Sequence, residues 1–306
     1  MKFVTVQHNN EPFVGIVASD ESKVLLLNLV EEVMTGQKNF PSSMLECIAL
    51  GDSFTKQVKV LLDWVQSGEK SNSFYVPMEE LTLLAPIPRP SKNVFCVGKN
   101  YADHAIEMGS AEDIPEHVMV FTKAPTSVIG PNETILNHQT VTNQLDYEGE
   151  LAVIIGKKGR AIKKEEALNY VFGYTIINDV TARDLQSRHR QFFIGKSLDT
   201  TCPMGPWIIH KSAVEDPNNL NIETKVNGEV RQSSNTKNFI FSIEEIISVL
   251  SAGMTLEPGD IISTGTPAGV GKGFKPPRFL QQGDQIEISI ESIGTLVNKM
   301  EDSAVN

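Results

Sequence analysis

Cysteine is scarce in this sequence. The three cysteines, Cys47, Cys96 and Cys202, are an odd number, lie far apart and form no C-x-x-C pair. A disulfide framework or a structural zinc site would need paired, closely spaced cysteines. We therefore predict reduced, buried thiols in a cytoplasmic protein.

Positive charge is also in short supply. The chain has 27 Lys and Arg residues against 38 Asp and Glu residues, which gives a net charge of −11. A nucleic-acid-binding protein would normally need a basic face, so the composition argues against that class. An anionic substrate would have to be attracted by a local positive site, such as a metal ion or a few basic side chains.

Long apolar runs and nucleotide-binding loops are missing as well. The apolar runs, such as Val24 to Leu27 and Leu151 to Ile155, have the length of strands, whereas a membrane-spanning helix needs about 20 apolar residues. The first residues lack the apolar stretch of a signal peptide. The glycine-rich segment 265–273 fits neither the phosphate-loop pattern nor the dinucleotide-binding pattern. It is better interpreted as a tight loop that approaches a ligand closely. We expect no membrane and no nucleotide partner.

The first 85 residues are predicted to form a small α+β module. Three short strands (Val4 to Val6, Phe13 to Val17 and Val24 to Leu29) precede helices over Met44 to Leu50 and Phe54 to Val65. A connector with a proline at every second position follows, between residues 85 and 91. The division predicts a module over residues 1–85 and a catalytic domain over 86–306.

Strands dominate the second part. The intervening helices, among them Tyr101 to Met108 and Thr181 to Arg190, do not alternate regularly with strands. This pattern favours an α+β fold over a doubly wound sheet.

Three carboxylates carry the strongest chemical signal. Because side chains alternate along a strand, Glu148 and Glu150 should point the same way, beside an apolar continuation of that strand. Asp179 follows directly on an almost wholly apolar strand. Solvated glutamates at a strand end, and a helix N-cap for Asp179, remain the simpler alternatives. As a set, three oxygen ligands without His or Cys would favour a hard cation, Mg²⁺ or Mn²⁺.

Five motifs, in this order along residues 90–295, resemble those of the fumarylacetoacetate hydrolase superfamily. They are Gly98-Lys99-Asn100-Tyr101 with His104, Tyr147-Glu148-Gly149-Glu150-Leu151, Asn178-Asp179-Val180-Thr181-Ala182-Arg183-Asp184, Gly195-Lys196-Ser197 with Cys202-Pro203, and Thr264-Gly265-Thr266-Pro267-Ala268-Gly269-Val270-Gly271. Within the superfamily, the longer N-terminal module and the stretch 194–203 look closest to an oxaloacetate decarboxylase branch of bacilli.

The resemblance implies a C-terminal mixed β-roll, usually in a homodimer, with the site at one end of the roll. It implies Mg²⁺ or Mn²⁺ on Glu148, Glu150 and Asp179. It also implies catalytic and substrate-binding positions. The catalytic positions are His104, Glu107 and Lys196, and the substrate-binding positions are Arg183, Gln186 and Thr266.

Two of these assignments have simpler alternatives. His104 and Glu107 lie at i and i+3 of a predicted helix, so Glu107 can orient His104 as a base; a surface histidine with a neighbouring ion pair is the alternative. Lys196, in a predicted glycine-flanked turn, would hold a substrate carboxylate or an oxyanion; its alternative is a solvated lysine.

The resulting hypothesis is a cytoplasmic, metal-dependent decarboxylase that converts oxaloacetate, a small 2-oxo acid, to pyruvate and CO₂. Cleavage would leave an enolate, whose charge a divalent cation stabilises. Hydrolysis of an acylpyruvate or fumarylpyruvate, or isomerisation of a hydroxymuconate-like diacid, would use the same site. A further alternative is an interaction protein whose N-terminal module docks on a cytoskeletal or regulatory partner.

Overall fold

The structure, a computed structural model, describes residues 1–68 and 71–302. The strands are β1 Lys2–His8, β2 Glu11–Val17, β3 Lys23–Leu26, β4 Tyr75–Pro77, β5 Thr82–Leu83, β6 Val94–Gly98, β7 Met119–Lys123, β8 Val128–Ile129, β9 Thr134–Leu136, β10 Leu145–Asp146, β11 Gly149–Ile155, β12 Val171–Asn178, β13 Thr181–Ala182, β14 Cys202–His210, β15 Asn221–Val226, β16 Glu229–Asn235, β17 Ile261–Ser263, β18 Gln285–Ile290 and β19 Gly294–Glu301. The α-helices are α1 Leu27–Thr35, α2 Met44–Ala49, α3 Asp52–Ser67, α4 Ala102–Met108, α5 Arg183–His189, α6 Phe193–Lys196 and α7 Ile243–Ser251. None of the helices in these described ranges is long and apolar enough to cross a membrane.

One large mixed sheet organises the molecule. Its strand order is β4-β3-β2-β1-β14-β12-β11-β17-β6-β7, and β8 returns to pair with β14. This return joins β14 through β7 into a roll. A second sheet, β16-β15-β18-β19-β9, packs over the roll with α7, and aliphatic side chains fill the space between them. The mixed sheets confirm the α+β prediction.

The N-terminal segment shares the large sheet with the rest of the chain. β1 pairs antiparallel with β14, and the helices α1 to α3 pack on one face of the sheet. Ala152 and Ile154 of β11 face this packing, whereas Leu151, Val153 and Ile155 face the core of the roll. The predicted domain boundary at residue 85 stays a prediction. The large sheet and the hydrophobic core both continue across this position.

Two predicted elements are wrong in detail. The strand predicted over Val24 to Leu29 ends at Leu26, because α1 begins at Leu27 and buries Leu27 and Val30 at helical spacing. The helix predicted from Thr181 begins at Arg183, because β13 first pairs with β10. In both places the apolar residues continue without a break, so the hydrophobic pattern does not show where the strand ends and the helix begins. The three cysteines are buried free thiols, as predicted.

Candidate active site and metal centre

The three predicted carboxylates meet where β11 begins and β12 ends. Gly149 is paired with Asn178, so Glu148 and Asp179 lie side by side at the sheet edge. The Asp179 N–H donates to the Glu148 carbonyl at 2.8 Å, and this bond fixes the two backbones. One oxygen each of Glu148, Glu150 and Asp179 lies within 4.8 Å of the others, and all three residues are buried. They are therefore neither solvated strand-end glutamates nor an exposed N-cap.

Glu150 is held by the neighbouring strand β17 and the loop after it. Its Oε2 accepts hydrogen bonds from Ser263 Oγ at 2.5 Å and from the Gly265 N–H at 2.9 Å. Burial, and then the charges of Asp179 and Glu148, raise the pKa of Glu150 to about 8. A cation among the three carboxylates would oppose this rise.

Two buried lysines balance part of the negative charge. Lys196 Nζ lies 2.6 Å from Glu148 Oε2 and 2.7 Å from Asp179 Oδ2. Lys123 Nζ lies 2.8 Å from Asp179 Oδ1, an ion-pair contact without hydrogen-bond geometry. Burial alone would lower the pKa of Lys196, but Asp179 and Glu148 raise it overall. Lys196 is thus a buried, ion-paired side chain and not a solvated lysine.

Lys196 lies at the end of a short helix, α6, and not in the predicted turn. Gly195 allows α6 to pack tightly on α5, because a Cβ on Gly195 would come within 2.5 Å of the Gln186 nitrogen. No motif or spacing predicts Lys123, which enters the site from the end of β7 once the roll has closed.

The carboxylate set fits a divalent cation. All three donors are oxygens, they are buried and grouped, and Asp179 Oδ1 accepts no hydrogen bond. Hard cations prefer such ligands.

Arg183 forms the second charged layer. Its Nε donates to Asp146 Oδ2 at 2.8 Å and its Nη1 lies 2.7 Å from Glu148 Oε1. Nη1 also donates to Gln186 Oε1 at 3.3 Å, whereas Nη2 is buried and has no hydrogen-bond partner among the residues that the structure describes. Lys196 and Arg183 hold the pKa of Glu148 well below its usual range despite its burial. Asp146 was missed as a site residue, although it stands in the same acidic run as Glu148.

His104 and Glu107 extend from α4 over the mouth of the site. His104 is 6% exposed, so it is not a surface histidine. Its Nδ1 lies 3.4 Å from Glu107 Oε2, and the Glu107 carboxylate accepts the Gly269 N–H at 2.9 Å. Glu107 is therefore anchored on the glycine-rich loop and can orient the imidazole.

Thr266 is held by Gln232, a residue that sequence reasoning missed. Gln232 Nε2 donates to Thr266 Oγ1 at 2.7 Å, and Gln232 Oε1 accepts the Gly149 N–H at 3.0 Å. Asn100 supports the same loop by donating to the Thr264 carbonyl at 2.8 Å. The glycine-rich segment is thus a tight loop over the site, as predicted.

A cavity of about 190 Å³ opens onto these groups. Its walls include every predicted site residue except Glu107 and Asp179, which lie directly behind His104 and Lys196. The lining residues are Val97, Gly98, Lys99, His104, Met108, Met119, Phe121, Glu148, Glu150, Arg183, Gln186, Ser187, Phe192, Lys196, Thr266 and Lys272. Basic groups therefore surround a small cavity whose floor is acidic.

Comparison with known proteins agrees with this geometry. Residues 93–301 match the family model described as fumarylacetoacetate (FAA) hydrolase C-terminal. The chain belongs to the fumarylacetoacetate hydrolase family. It is 56% identical to the oxaloacetate tautomerase YisK of Bacillus subtilis (strain 168), over 98% of this chain and 100% of that protein.

Two solved structures of the family extend the likeness to the whole fold. A fumarylacetoacetate hydrolase from the psychrophilic Exiguobacterium antarcticum has a TM-score of 0.82 and 44% identity, covering 99% of this chain and 100% of the other. A 5-carboxymethyl-2-hydroxymuconate delta-isomerase from Mycobacterium smegmatis has a TM-score of 0.73 and 32% identity, with the same coverage. The predicted family and fold are confirmed.

Proposed function

We propose that this protein is a divalent-metal-dependent enzyme that interconverts the keto and enol forms of oxaloacetate. The observation that carries the proposal is the placement of a proton-transfer pair, His104 and Glu107, at a small cavity with an acidic floor and basic walls. The tautomerase name of the full-length relative supports the same reaction. The proposal changes the reaction first predicted, decarboxylation, but keeps its substrate and its site.

The carboxylates of Glu148, Glu150 and Asp179 would hold the cation, which we propose to be Mg²⁺ or Mn²⁺ because all donors are hard oxygens. When bound, the cation would supply Lewis-acid polarisation of the 2-oxo group. Lys196 and Lys123 hold Glu148 and Asp179 in place through ion pairs.

We assign proton transfer at C3 to His104. Its Nδ1 faces Glu107, which leaves Nε2 free to take the proton. As the C3–H bond breaks, its electron pair forms the C2=C3 bond, and the C2=O π pair moves to the oxygen, which gains a proton from solvent. The imidazolium then releases the C3 proton to solvent. The anchored Glu107 carboxylate stabilises the imidazolium, and the reverse steps regenerate the ketone.

Arg183, Gln186 and Thr266 are proposed to bind the substrate. The unpartnered Arg183 Nη2 is the clearest case, because a buried guanidinium nitrogen without an acceptor favours an incoming carboxylate or oxyanion. Gln186 and Thr266 also line the cavity. The ammonium of Lys196 would face negative charge on the reacting oxygen.

Decarboxylation of oxaloacetate is the second candidate, since it passes through an enolate at the same carbons. The basic walls of the cavity favour an enolate however it is formed. Hydrolysis of an acylpyruvate would require an attacking water in addition, and His104 could activate it. The likeness to the muconate isomerase supports proton shuttling in this fold.

One experiment separates these reactions. The enol absorbance of oxaloacetate and the release of pyruvate are followed in the same sample with Mn²⁺, for the wild type and for Glu148→Ala/Glu150→Ala. We expect the enol to disappear faster than in buffer with Mn²⁺ alone, without matching pyruvate, and the double variant to show only the background. Pyruvate formed in step with enol loss would establish the decarboxylase instead, and no acceleration of either signal would contradict both.

Assembly and location remain proposals. Ile106, Val120, Phe193 and Ile194 are exposed on the elements around the cavity, the kind of surface that a homodimer buries. Light scattering of the purified chain would report the mass directly. A cytoplasmic location, the absence of a nucleic-acid or membrane partner, and a cytoskeletal or regulatory partner stay predictions.

A further inference from the structure

Among the described residues, one cationic side chain of the cavity forms no ion pair. Lys196 is paired with Glu148, and Lys99 lies 3.1 Å from Asp113 Oδ1. Lys272 also lines the cavity, but within residues 1–68 and 71–302 its ammonium group makes no ion pair and no hydrogen bond. The described part of the structure therefore leaves one lysine of the cavity free for a ligand.

The backbone of Lys272 is fixed even though its ammonium group is free. The Gly271 N–H donates to Asp146 Oδ1 at 2.7 Å, and the Lys272 N–H donates to Asp146 Oδ2 at 3.0 Å. Gly273 packs directly on Glu107, because a Cβ there would come within 2.2 Å of the carboxylate. The loop thus positions one cationic side chain at the cavity mouth with little backbone freedom left to lose on binding.

The surroundings of Lys272 are positive. Asp146 accepts a hydrogen bond from the Lys272 backbone but forms its ion pair with the Arg183 side chain, so its charge is balanced by Arg183 and not by the Lys272 ammonium. Arg183 Nη2 adds a buried donor without an acceptor. Burial, and then the charge of Arg183, lower the pKa of the Lys272 ammonium, as expected where positive charge is not fully balanced. An anionic ligand group would supply the missing negative charge.

We propose that Lys272 is a specificity-determining residue that binds the distal carboxylate of a four-carbon dicarboxylate substrate. The proposal rests on the proposed function for the length of the substrate. In that complex the 2-oxo acid end lies toward Glu148 and Glu150, and the carboxylate on C4 lies at the cavity mouth, where Lys272 is. A 2-oxo acid with an uncharged distal group would leave Lys272 without a partner.

This contact also bears on the choice of reaction. Loss of CO₂ would turn the charged distal carboxylate into a neutral molecule, and the ion pair with Lys272 would be lost as the C–C bond breaks. Tautomerisation leaves that carboxylate ionised throughout. A lysine at this position therefore stabilises the bound dicarboxylate while opposing its decarboxylation.

The test compares two ligands that are not substrates of the proposed reaction and differ only at the distal end. Malate and 2-hydroxybutanoate share the 2-hydroxy acid end, but the first ends in a carboxylate and the second in a methyl group. Their dissociation constants are measured by calorimetry on the Mn²⁺-loaded full chain. The proteins compared are the wild type, Lys272→Met, Lys272→Arg and, as a matched control, Lys59→Met on the exposed side of α3.

We expect the wild type to prefer malate by about tenfold, the size of a partly solvated charge-assisted hydrogen bond. Lys272→Met should abolish the preference without weakening 2-hydroxybutanoate binding, while Lys272→Arg and Lys59→Met should retain it. An unchanged preference in Lys272→Met would overturn the proposal, as would a wild type that does not distinguish the ligands. Because binding is read without turnover, a wild type that prefers malate but leaves oxaloacetate unchanged would refute only the proposed reaction.

Discussion

The molecule has two interiors of opposite character, separated by a few residues of β11 and β12. On the N-terminal side, the rings of Phe3, Phe54 and Phe172 pack with centroids 5.0 to 6.2 Å apart. At the strand ends, buried carboxylates alternate with buried cations at distances of 2.6 to 2.8 Å. The aromatic interior stabilises the fold by burying apolar surface. The charged interior adds little net stability to the fold, because the cost of desolvating its charges offsets their mutual attraction. A catalytic or binding role therefore explains the charged interior better than a contribution to stability does.

Glu150→Gln should have the largest effect, and only on activity. We expect kcat/KM for oxaloacetate to fall by about 10³-fold or more, because a ligand of the proposed cation loses its charge. Stability should not fall, since the amide oxygen can still accept from Ser263 and Gly265 while repulsion from Asp179 disappears. Initial rates across a Mn²⁺ titration measure the activity. Thermal unfolding of the metal-free proteins measures the stability, because bound Mn²⁺ would itself stabilise the wild type.

The exposed Glu11→Gln is the matched control and should change neither quantity. A variant of Glu150 that unfolds more readily but keeps its activity would show that this carboxylate serves the fold, and would break the contrast between the two interiors.

Phe54→Ala should have the opposite profile. Phe54 is fully buried in α3 and contacts three other rings, so its loss leaves a cavity that costs about 3 kcal/mol of unfolding free energy. The kcat of the folded fraction should stay the same, because no ring of this cluster reaches the candidate site. Denaturant unfolding and rates at low temperature separate the two effects. The control is Val60→Ala, on the exposed side of the same helix, which should cost little unfolding free energy. A fall in kcat for Phe54→Ala would show that the two interiors are coupled.

The two interiors also differ in how far sequence predicts them. Alternation along β11 predicts both its faces and the grouping of Glu148 with Glu150, because a strand's period is a local property. It does not predict Lys123, which reaches Asp179 only after β8 pairs with β14 and closes the roll. The sequence pattern does not predict Gln232 for the same reason, because its amide joins Gly149 to Thr266 across two sheets. Side-chain contacts that form only when the fold closes have no characteristic spacing in the sequence, so the sequence pattern does not predict them.

His210 provides the smallest and most local test, at the junction between β14 and β1. Its ring packs against Phe3 and Phe172, and its Nδ1 accepts the Ser212 N–H, a bond that the neutral ring makes and the doubly protonated ring cannot. Burial, and then the positive N-terminus, lower its pKa to about 4. Lys211 and Lys59 act in the same direction, and Asp52 opposes them.

Since the unfolded chain protonates this histidine near its ordinary pKa of about 6.5, the unfolded state binds more protons between that pH and about 4. Stability is therefore lost as the pH falls through this window, by about 1.5 kcal/mol once partial exposure is allowed for. We expect His210→Gln, which cannot be protonated, to reduce by this amount the difference in unfolding free energy between pH 7 and pH 4. His117→Gln, in an exposed loop, is the control. If both variants lost the same stability on acidification as the wild type, the junction would not sense pH, and the acid sensitivity of the fold would have to come from the charged interior alone.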